Sequence, residues 1–279
     1  MVRNNEERFG PRSKGGEETP ATAPENLLQF VTPTEFVEIP SRGKGYPVDH
    51  PLCGKETIEI KYMTAKEEDI LISKSLIKKG IALDRLISNL VVDKNINAST
   101  LLSGDRNAIV IAARASAYGH LYKTQVTCPS CETKQKYAFD LTEPEITNGE
   151  MPIDYDVKTL DNGNYLIKLP ISDFEVEVKL LRGSDEAKAM KILNDKKKES
   201  SIVSEQLKLF IVSINGHDQA SVINYFIENA PSSQTRMLRE AYDSISPNVR
   251  VKGDFECSNC GFEQVMEVSL GADFFWPDK

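Results

Sequence analysis

Two short cysteine motifs, VTCPSC at residues 126–131 and FECSNC at residues 255–260, govern the fold expected of this chain. Each C-x-x-C lies between two runs of apolar or alternating residues, which is the pattern of a β-hairpin whose turn carries the cysteines. The first hairpin runs on to residue 141, and the second covers residues 251–270. We therefore expect two similar strand–turn–strand units that lie far apart in the sequence.

The four cysteines of these turns are candidate metal ligands. Four thiolates are the set that a structural Zn²⁺ takes tetrahedrally. Residues 132–256 separate the two pairs, whereas a compact finger separates them by about 15–20 residues. The entropy of closing a loop grows only logarithmically with its length, so a folded insert is tolerable there. We predict one structural Zn²⁺ per chain in a discontinuous two-hairpin ribbon, bound by Cys128, Cys131, Cys257 and Cys260.

Other interpretations of the two motifs remain open. Each turn could hold a disulfide, one pair could be a redox site, or the four thiols could be buried separately. A redox C-x-x-C needs only one copy, near a βαβ pattern. The role expected of the metal is structural, because four protein ligands leave no position for a water or a substrate. Cys53 has no partner motif, and we expect an inert thiol there.

Composition narrows the class of protein. The 279 residues allow one large or two medium domains. The net charge of −8 argues against broad affinity for nucleic-acid phosphates, which requires clustered Lys and Arg. No run approaches the ~20 apolar residues of a membrane span. The charged N-terminus lacks the apolar core of a signal peptide, so a reducing cytoplasm is expected.

Periodicity predicts an α+β protein in four segments. Residues 1–27 form a disordered tail, and residues 28–141 form a helical domain that ends in the first cysteine turn. Residues 142–248 form an α+β insert, and residues 249–279 carry the second turn and an aromatic tail. The last aromatic residues either close the core or dock on another subunit: Phe274, Phe275 and Trp276.

The helical domain has the clearest local signals. Thr64 and Glu67 match a capping box, and the helix they begin should continue to about Gly80. A second helix is expected over residues 81–92. A third, over residues 106–118, is apolar nearly all round and should be the buried centre of this half. Two arginines on this third helix need partners, and the acidic run at residues 67–69 is the candidate: Arg106 and Arg114.

The insert contains both strand and helix patterns. We expect a Pro-containing linker over residues 142–153 and a helix over residues 202–214, with further helices around residues 222–227 and 237–245. Strands are expected at the alternating runs 155–159, 165–169 and 174–179, in addition to 35–40 and 56–61 in the first half.

Motifs of catalysis are missing from the sequence. The three histidines, His50, His120 and His217, lie in no metal-binding or triad spacing, and no dinucleotide, hydrolase or metalloprotease fingerprint occurs. The Cys128 motif lacks the preceding proline and the H-x-E element of a zinc deaminase. We expect a protein without enzymatic activity, although a dispersed catalytic site stays open.

An ordered series of motifs carries a resemblance to a known family. It consists of IPSRGKGY at residues 39–46, MTAKEEDIL at 63–71, LSGDRNAI at 102–109 and the first cysteine motif. Together these motifs resemble the baseplate hub proteins and hub-assembly factors of T4-like contractile-tailed bacteriophages. The resemblance covers residues 33–141, and beyond them it rests on the second cysteine turn and the FFWP tail.

This resemblance implies a protein that builds the central hub of a phage tail baseplate, or forms part of it. Its partners would be other baseplate hub or tail proteins, and it would occur in the host cytoplasm during assembly or in the finished tail. The alternative that the residues leave open is a zinc-ribbon protein associated with nucleic acid or transcription. A basic face would favour that alternative, but acidic residues interleave with the lysines near both cysteine turns.

Overall fold

The structure, a computed structural model, describes residues 32–151, 154–193 and 202–275. The predicted tail at residues 1–27 and Trp276 lie outside the described residues. From Pro33 onward the chain forms one compact unit of mixed helices and antiparallel sheets, which confirms the α+β class.

The first half begins with a two-stranded sheet and three short helices. Its elements are β1 (Thr34–Glu38), β2 (Thr57–Lys61), α1 (Ala65–Ile72), α2 (Lys74–Lys78) and α3 (Ala82–Leu90). The predicted reach of Glu67 back to Thr64 is confirmed, since its carboxylate accepts the Thr64 backbone N–H at 3.0 Å. The single helix expected to run to Gly80 is wrong, because Ser73 is extended (ψ 101°) and divides it in two.

The central helix of this half is α4 (Ser103–Tyr118), and its predicted burial is confirmed. Gly104 in its first turn has no space for a side chain. A Cβ there would lie 2.0 Å from the Pro247 carbonyl oxygen, so only glycine lets the helix approach the chain just before the second hairpin. The start of α4 is thus fixed against residues more than a hundred positions away.

The predicted pairing of the α4 arginines with residues 67–69 is wrong. Arg106 forms ion pairs with Asp84 on α3 (2.7 Å) and Glu186 (2.9 Å). Arg114 instead donates to the Phe274 carbonyl oxygen at 3.3 Å and lies over the Tyr118 ring. The apolar periodicity correctly predicted that both arginines lie on one helix. Their partners belong to other elements that pack against this helix, and the periodicity carries no information about them.

After α4, the chain forms three two-stranded antiparallel sheets. The first cysteine turn joins β3 (Leu121–Thr127) to β4 (Lys134–Asp140), and the second joins β11 (Lys252–Glu256) to β12 (Glu263–Glu267). The predicted linker at residues 142–153 contains a strand, β5 (Glu145–Thr147), which pairs with β10 (Asn248–Arg250). This pairing lies beside the second hairpin and makes residues 145–147 part of the ordered fold.

The insert is a four-stranded antiparallel sheet with helices. Its order is β6–β7–β8–β9, and its strands are β6 (Val157–Thr159), β7 (Tyr165–Lys168), β8 (Glu175–Val178) and β9 (Ile211–Ile214). The helices are α5 (Gly183–Leu193), α6 (Ile202–Phe210), α7 (Ala220–Asn229) and α8 (Ser232–Ile245). The helix predicted over 202–214 is therefore wrong in its last turn, where Ile211 and Ile214 pair with β8.

The buried apolar residues divide into two large clusters. One surrounds α4 and includes Val249, Val251 and both Phe274 and Phe275, so the described part of the aromatic tail closes its own core. The other lies between the insert sheet and helices α6–α8. Leu180 of the insert packs in the first cluster, which ties the two parts together. The four domain boundaries stay predictions.

No helix within the described ranges is both long and apolar enough to cross a membrane.

Candidate metal centre

The two hairpins place all four predicted cysteine ligands at one point. The sulfurs of Cys128 and Cys260 lie 3.8 Å apart, and those of Cys131 and Cys257 lie 3.6 Å apart. All four sulfur atoms lie within 4.8 Å of one another. Both of the short distances join one hairpin to the other. The cluster therefore belongs to the pair of hairpins and could not form in either alone.

The backbones of the two cysteine turns repeat the same hydrogen bonds. We call residues 128–133 and 257–262 the first and second knuckle. In the first, the Cys128 N–H donates to the Thr133 oxygen at 2.9 Å, and in the second the Cys257 N–H donates to the Phe262 oxygen at 2.9 Å. The residue after each second cysteine, Glu132 or Gly261, has a positive φ. Each knuckle therefore directs its two sulfurs to the same side by the same local geometry.

Side chains of β4 hold the second hairpin against the first. The Gln135 amide donates to the Glu256 carbonyl oxygen at 2.8 Å and accepts the Ser258 backbone N–H at 2.9 Å. The Tyr137 hydroxyl donates to the Asp254 carbonyl oxygen at 3.0 Å. Gly253 permits this approach, because a Cβ there would lie 2.8 Å from the Tyr137 hydroxyl oxygen. These contacts fix the relative position of the hairpins through protein groups alone.

Burial of the four sulfurs is uneven. Cys128 and Cys257 are buried, Cys131 is half-buried and Cys260 is exposed. Phe255 packs against the buried pair in a small apolar cluster. A low dielectric on one side of a thiolate–metal group strengthens its electrostatic interactions, while the exposed side gives a metal a route of entry.

The acidity of the thiols depends on their neighbours. Hydrogen bonds with the Thr133 side chain and backbone, and then with Asn259, lower the pKa of Cys131 to about 5. A backbone hydrogen bond from Phe262 lowers the pKa of Cys260, but the neighbouring thiol of Cys131, then desolvation and the other two thiols, outweigh that effect and raise the pKa to about 11. A second thiolate next to the first is disfavoured because like charges repel. A cation at the centre of the cluster would remove that repulsion.

The donor set and its spacing fit zinc. With metal–sulfur distances of roughly 2.3 Å, the sulfurs of a tetrahedral site lie about 3.8 Å apart. The separations between Cys131 and Cys257 (3.6 Å) and between Cys128 and Cys260 (3.8 Å) match that edge, and all four sulfurs lie within 4.8 Å of one another. They far exceed the sulfur–sulfur bond of a disulfide, which is about 2.05 Å. All five cysteines are free thiols, and Cys53 lies apart from the cluster and is exposed.

A network of buried polar groups centred on Asp105 lies elsewhere in the described residues. Asp105 accepts the Ser41 backbone N–H at 3.0 Å and the Tyr46 hydroxyl at 2.7 Å, so it holds the glycine-rich loop onto α4. Burial raises the pKa of Asp105, although these hydrogen bonds lower it. His50 stacks on the Tyr46 ring. No local pattern in the sequence indicates this network, because Ser41 and Tyr46 lie 64 and 59 positions from Asp105.

A comparison with protein families identifies the chain. A family model described as T4 bacteriophage base plate protein matches residues 33–276. The chain belongs to that family. The match begins where the described residues become compact and extends across both knuckles and the insert of this baseplate protein. Comparisons with curated proteins and with solved structures gave no match.

The resemblance to baseplate proteins that the sequence motifs suggested is therefore confirmed for the family as a whole. Membership of this family supports a structural role in a phage baseplate, with other phage tail proteins as partners and the virion tail as location. The sulfur cluster lies within the matched residues 33–276.

Proposed function

We propose that this protein is a structural or assembly protein of the central hub of a phage tail baseplate, stabilised by one zinc ion and without enzymatic activity. The observation that carries the proposal is the baseplate family match over residues 33–276. The ordered motifs between residues 39 and 131 support the assignment to the hub of the baseplate, since they resemble motifs of hub proteins and hub-assembly factors. The protein would meet other hub or tail proteins in the host cytoplasm during assembly.

The zinc part of the proposal rests on the sulfur cluster. Cys128, Cys131, Cys257 and Cys260 would be the ligands of one Zn²⁺, because their sulfurs lie within 4.8 Å of one another. Four protein ligands complete a tetrahedral site, so the ion would have a structural role. It would join a hairpin that follows α4 to a hairpin that follows the insert. Such a link suits a protein that must keep its shape while it is built into a large assembly.

The test of the hub role is quantitative mass spectrometry of purified phage particles and of tail-assembly intermediates from the same infected cells. A fixed copy number in both would identify a structural hub subunit. Detection in the intermediates alone would identify an assembly factor. Absence from both preparations would contradict the baseplate proposal.

A companion experiment separates zinc binding from the hub role. Phage that carry Cys257→Ser should yield fewer complete baseplates than wild type, whereas Cys53→Ser should behave as wild type because Cys53 lies outside the cluster. If Cys257→Ser protein lacks zinc and the baseplates still assemble normally, the metal is not needed for assembly. The proposed hub role would stand in that case.

A further inference from the structure

A cavity of about 400 Å³ opens on the insert, far along the chain from both knuckles. Its walls come from the turn between β7 and β8, the end of β9, α7 and the start of α8. The lining is mostly apolar, and among the described residues no Lys, Arg, Asp or Glu contributes to it. Two large apolar side chains on its lining are unusually exposed: Ile171 and Tyr225, each at 70%.

One polar side chain of this cavity has no partner. Gln234 is 2% exposed, and neither Oε1 nor Nε2 of its carboxamide makes a hydrogen bond within the described structure. The reason lies in the preceding residues. Gln234 is the third residue of α8, a position from which a glutamine reaches back to the N–H of the capping residue. The capping residue is Pro231, which has no N–H.

The orphaned carboxamide indicates which ligand would fit. It offers both a donor and an acceptor, and buried groups of this kind are nearly always paired in native proteins. A residue in an extended strand directs its N–H and its C=O toward the same neighbour, so one carboxamide can pair with both. The apolar walls would take the adjacent side chain of such a segment.

We propose that this cavity binds an extended, uncharged peptide segment of a partner protein. One apolar side chain of the segment enters the cavity. The Gln234 carboxamide, which is fully covered in the free protein, pairs with the N–H and C=O of one backbone residue of the segment once the side chains over it move aside. That the partner is another tail protein rests on the proposed function, whereas the site itself does not.

The charge of the lining argues against other ligands. A phosphate, a carboxylate or a metal cation would lose its hydration at a lining that has no Lys, Arg, Asp or Glu among the described residues and offers one imidazole, that of His217. The same lack of cations argues against a nucleic acid. Ile171 and Tyr225 line the same apolar cavity, and apolar side chains that are exposed together at one place are typical of surfaces that another protein covers.

The test starts from a library of random peptides displayed on yeast and panned against the full chain. We expect the enriched peptides to be uncharged and to share an apolar residue. Gln234→Leu and the cavity-filling Ala230→Trp should each weaken their binding at least ~10-fold in fluorescence anisotropy. The matched control is Phe36→Ser on β1, since Phe36 is also highly exposed (71%) but does not line the cavity. It should bind as wild type.

A second measurement uses the free protein, so it does not depend on the peptides. Gln234→Leu should raise the Tm by about 2–4 °C, because it removes an unpaired buried amide. Gln135→Leu should lower the Tm, because the Gln135 amide is paired with Glu256 and Ser258.

Three results would overturn the proposal. Enriched peptides that are charged, or that bind Gln234→Leu and Ala230→Trp as tightly as wild type, would show that the cavity is not the peptide site. A lower Tm for Gln234→Leu would show that the amide is already paired inside the protein, for example by water. Self-association that Tyr225→Asp abolishes, seen by sedimentation, would make a second copy the occupant. None of these results depends on whether the protein occurs in phage particles.

Discussion

Glu132 and Gly261 hold the same left-handed backbone conformation at the same place in the two knuckles, with φ angles of 58° and 68°. Gly261 adopts it without strain, whereas a residue with a Cβ meets its own following carbonyl oxygen there. The two knuckles thus share this backbone conformation, but it is strained at Glu132 in the first knuckle and unstrained at Gly261 in the second.

Glu132→Gly should therefore raise the free energy of unfolding by about 0.5 kcal/mol, the relief of strain less the added entropy of the unfolded chain. Gly261→Ala should lower it by about 1 kcal/mol, although nothing lies within 4 Å of the added Cβ. Urea denaturation of both variants in saturating zinc gives the comparison. A loss of stability in Glu132→Gly would show that the Glu132 side chain contributes more than the strain costs.

Cys257→Ser should abolish stoichiometric zinc binding, because serine replaces one of four thiolates at the centre of the cluster. Free energies of roughly 10–16 kcal/mol accompany structural zinc binding in small fingers, so loss of the ion should also lower the Tm steeply. Native mass spectrometry counts the zinc, and calorimetry gives the Tm.

Cys53→Ser is the matched control for the zinc measurement, since Cys53 is a free thiol outside the cluster. It should keep one zinc and the wild-type Tm. One tightly held zinc per chain in Cys257→Ser would refute a shared four-cysteine site.

Arg106→Met should lower the free energy of unfolding by about 3–5 kcal/mol. Its guanidinium donates to the Ala98 carbonyl oxygen at 2.7 Å and to Glu186 at 2.9 Å, and it forms an ion pair with Asp84. Its removal leaves two acceptors without a donor and the Asp84 carboxylate without its cation. Equilibrium urea denaturation measures the change.

Arg236→Met provides the comparison for Arg106. Arg236 pairs with Glu240 at 2.8 Å, but its side chain is 74% exposed, so its loss should cost less than about 1 kcal/mol. Equal effects of the two substitutions would show that burial does not strengthen the Arg106 ion pairs.

Glu67 should make the stability of the first half depend on pH. Burial raises its pKa, but hydrogen bonds from Thr64 and Asn89 outweigh that effect and hold the pKa below the ordinary value. A depressed pKa in the folded state contributes stability above the unfolded pKa of about 4.3, and that contribution is lost as the pH falls through the folded pKa. Glu67→Gln should therefore be less stable than wild type at pH 7, and the difference should shrink in acid.

Urea denaturation of wild type and Glu67→Gln at neutral and acid pH measures this difference. Asp69→Asn, which removes a charge from an exposed position of the same helix and leaves the bonds to Thr64 in place, is the control for net charge. A difference between wild type and Glu67→Gln that stays constant from neutral to acid pH would contradict the role given to the Glu67 carboxylate.

Signals within a few residues of each other were sufficient for much of this fold. The alternating runs on either side of Cys128 and Cys257 predicted both hairpins, and the spacing within each C-x-x-C predicted two thiols in each turn. Glu67 reached back to Thr64 as a capping box requires. Each of these features depends on backbone geometry and side chains only two to four positions apart, and that information is present in the sequence itself.

Only the tertiary structure decided which distant groups meet. The apolar spacing that ends in Ile211 and Ile214 suits a helix, but pairing with β8 makes it a strand, because a sheet edge satisfies the backbone of that segment. The partners of Arg106 and the strand at residues 145–147 depend on elements that pack together from distant parts of the chain. The unpaired amide of Gln234 depends both on Pro231 beside it and on the walls that bury it. Contacts of this kind follow from how whole helices and sheets pack, and no local pattern in the sequence specifies that packing.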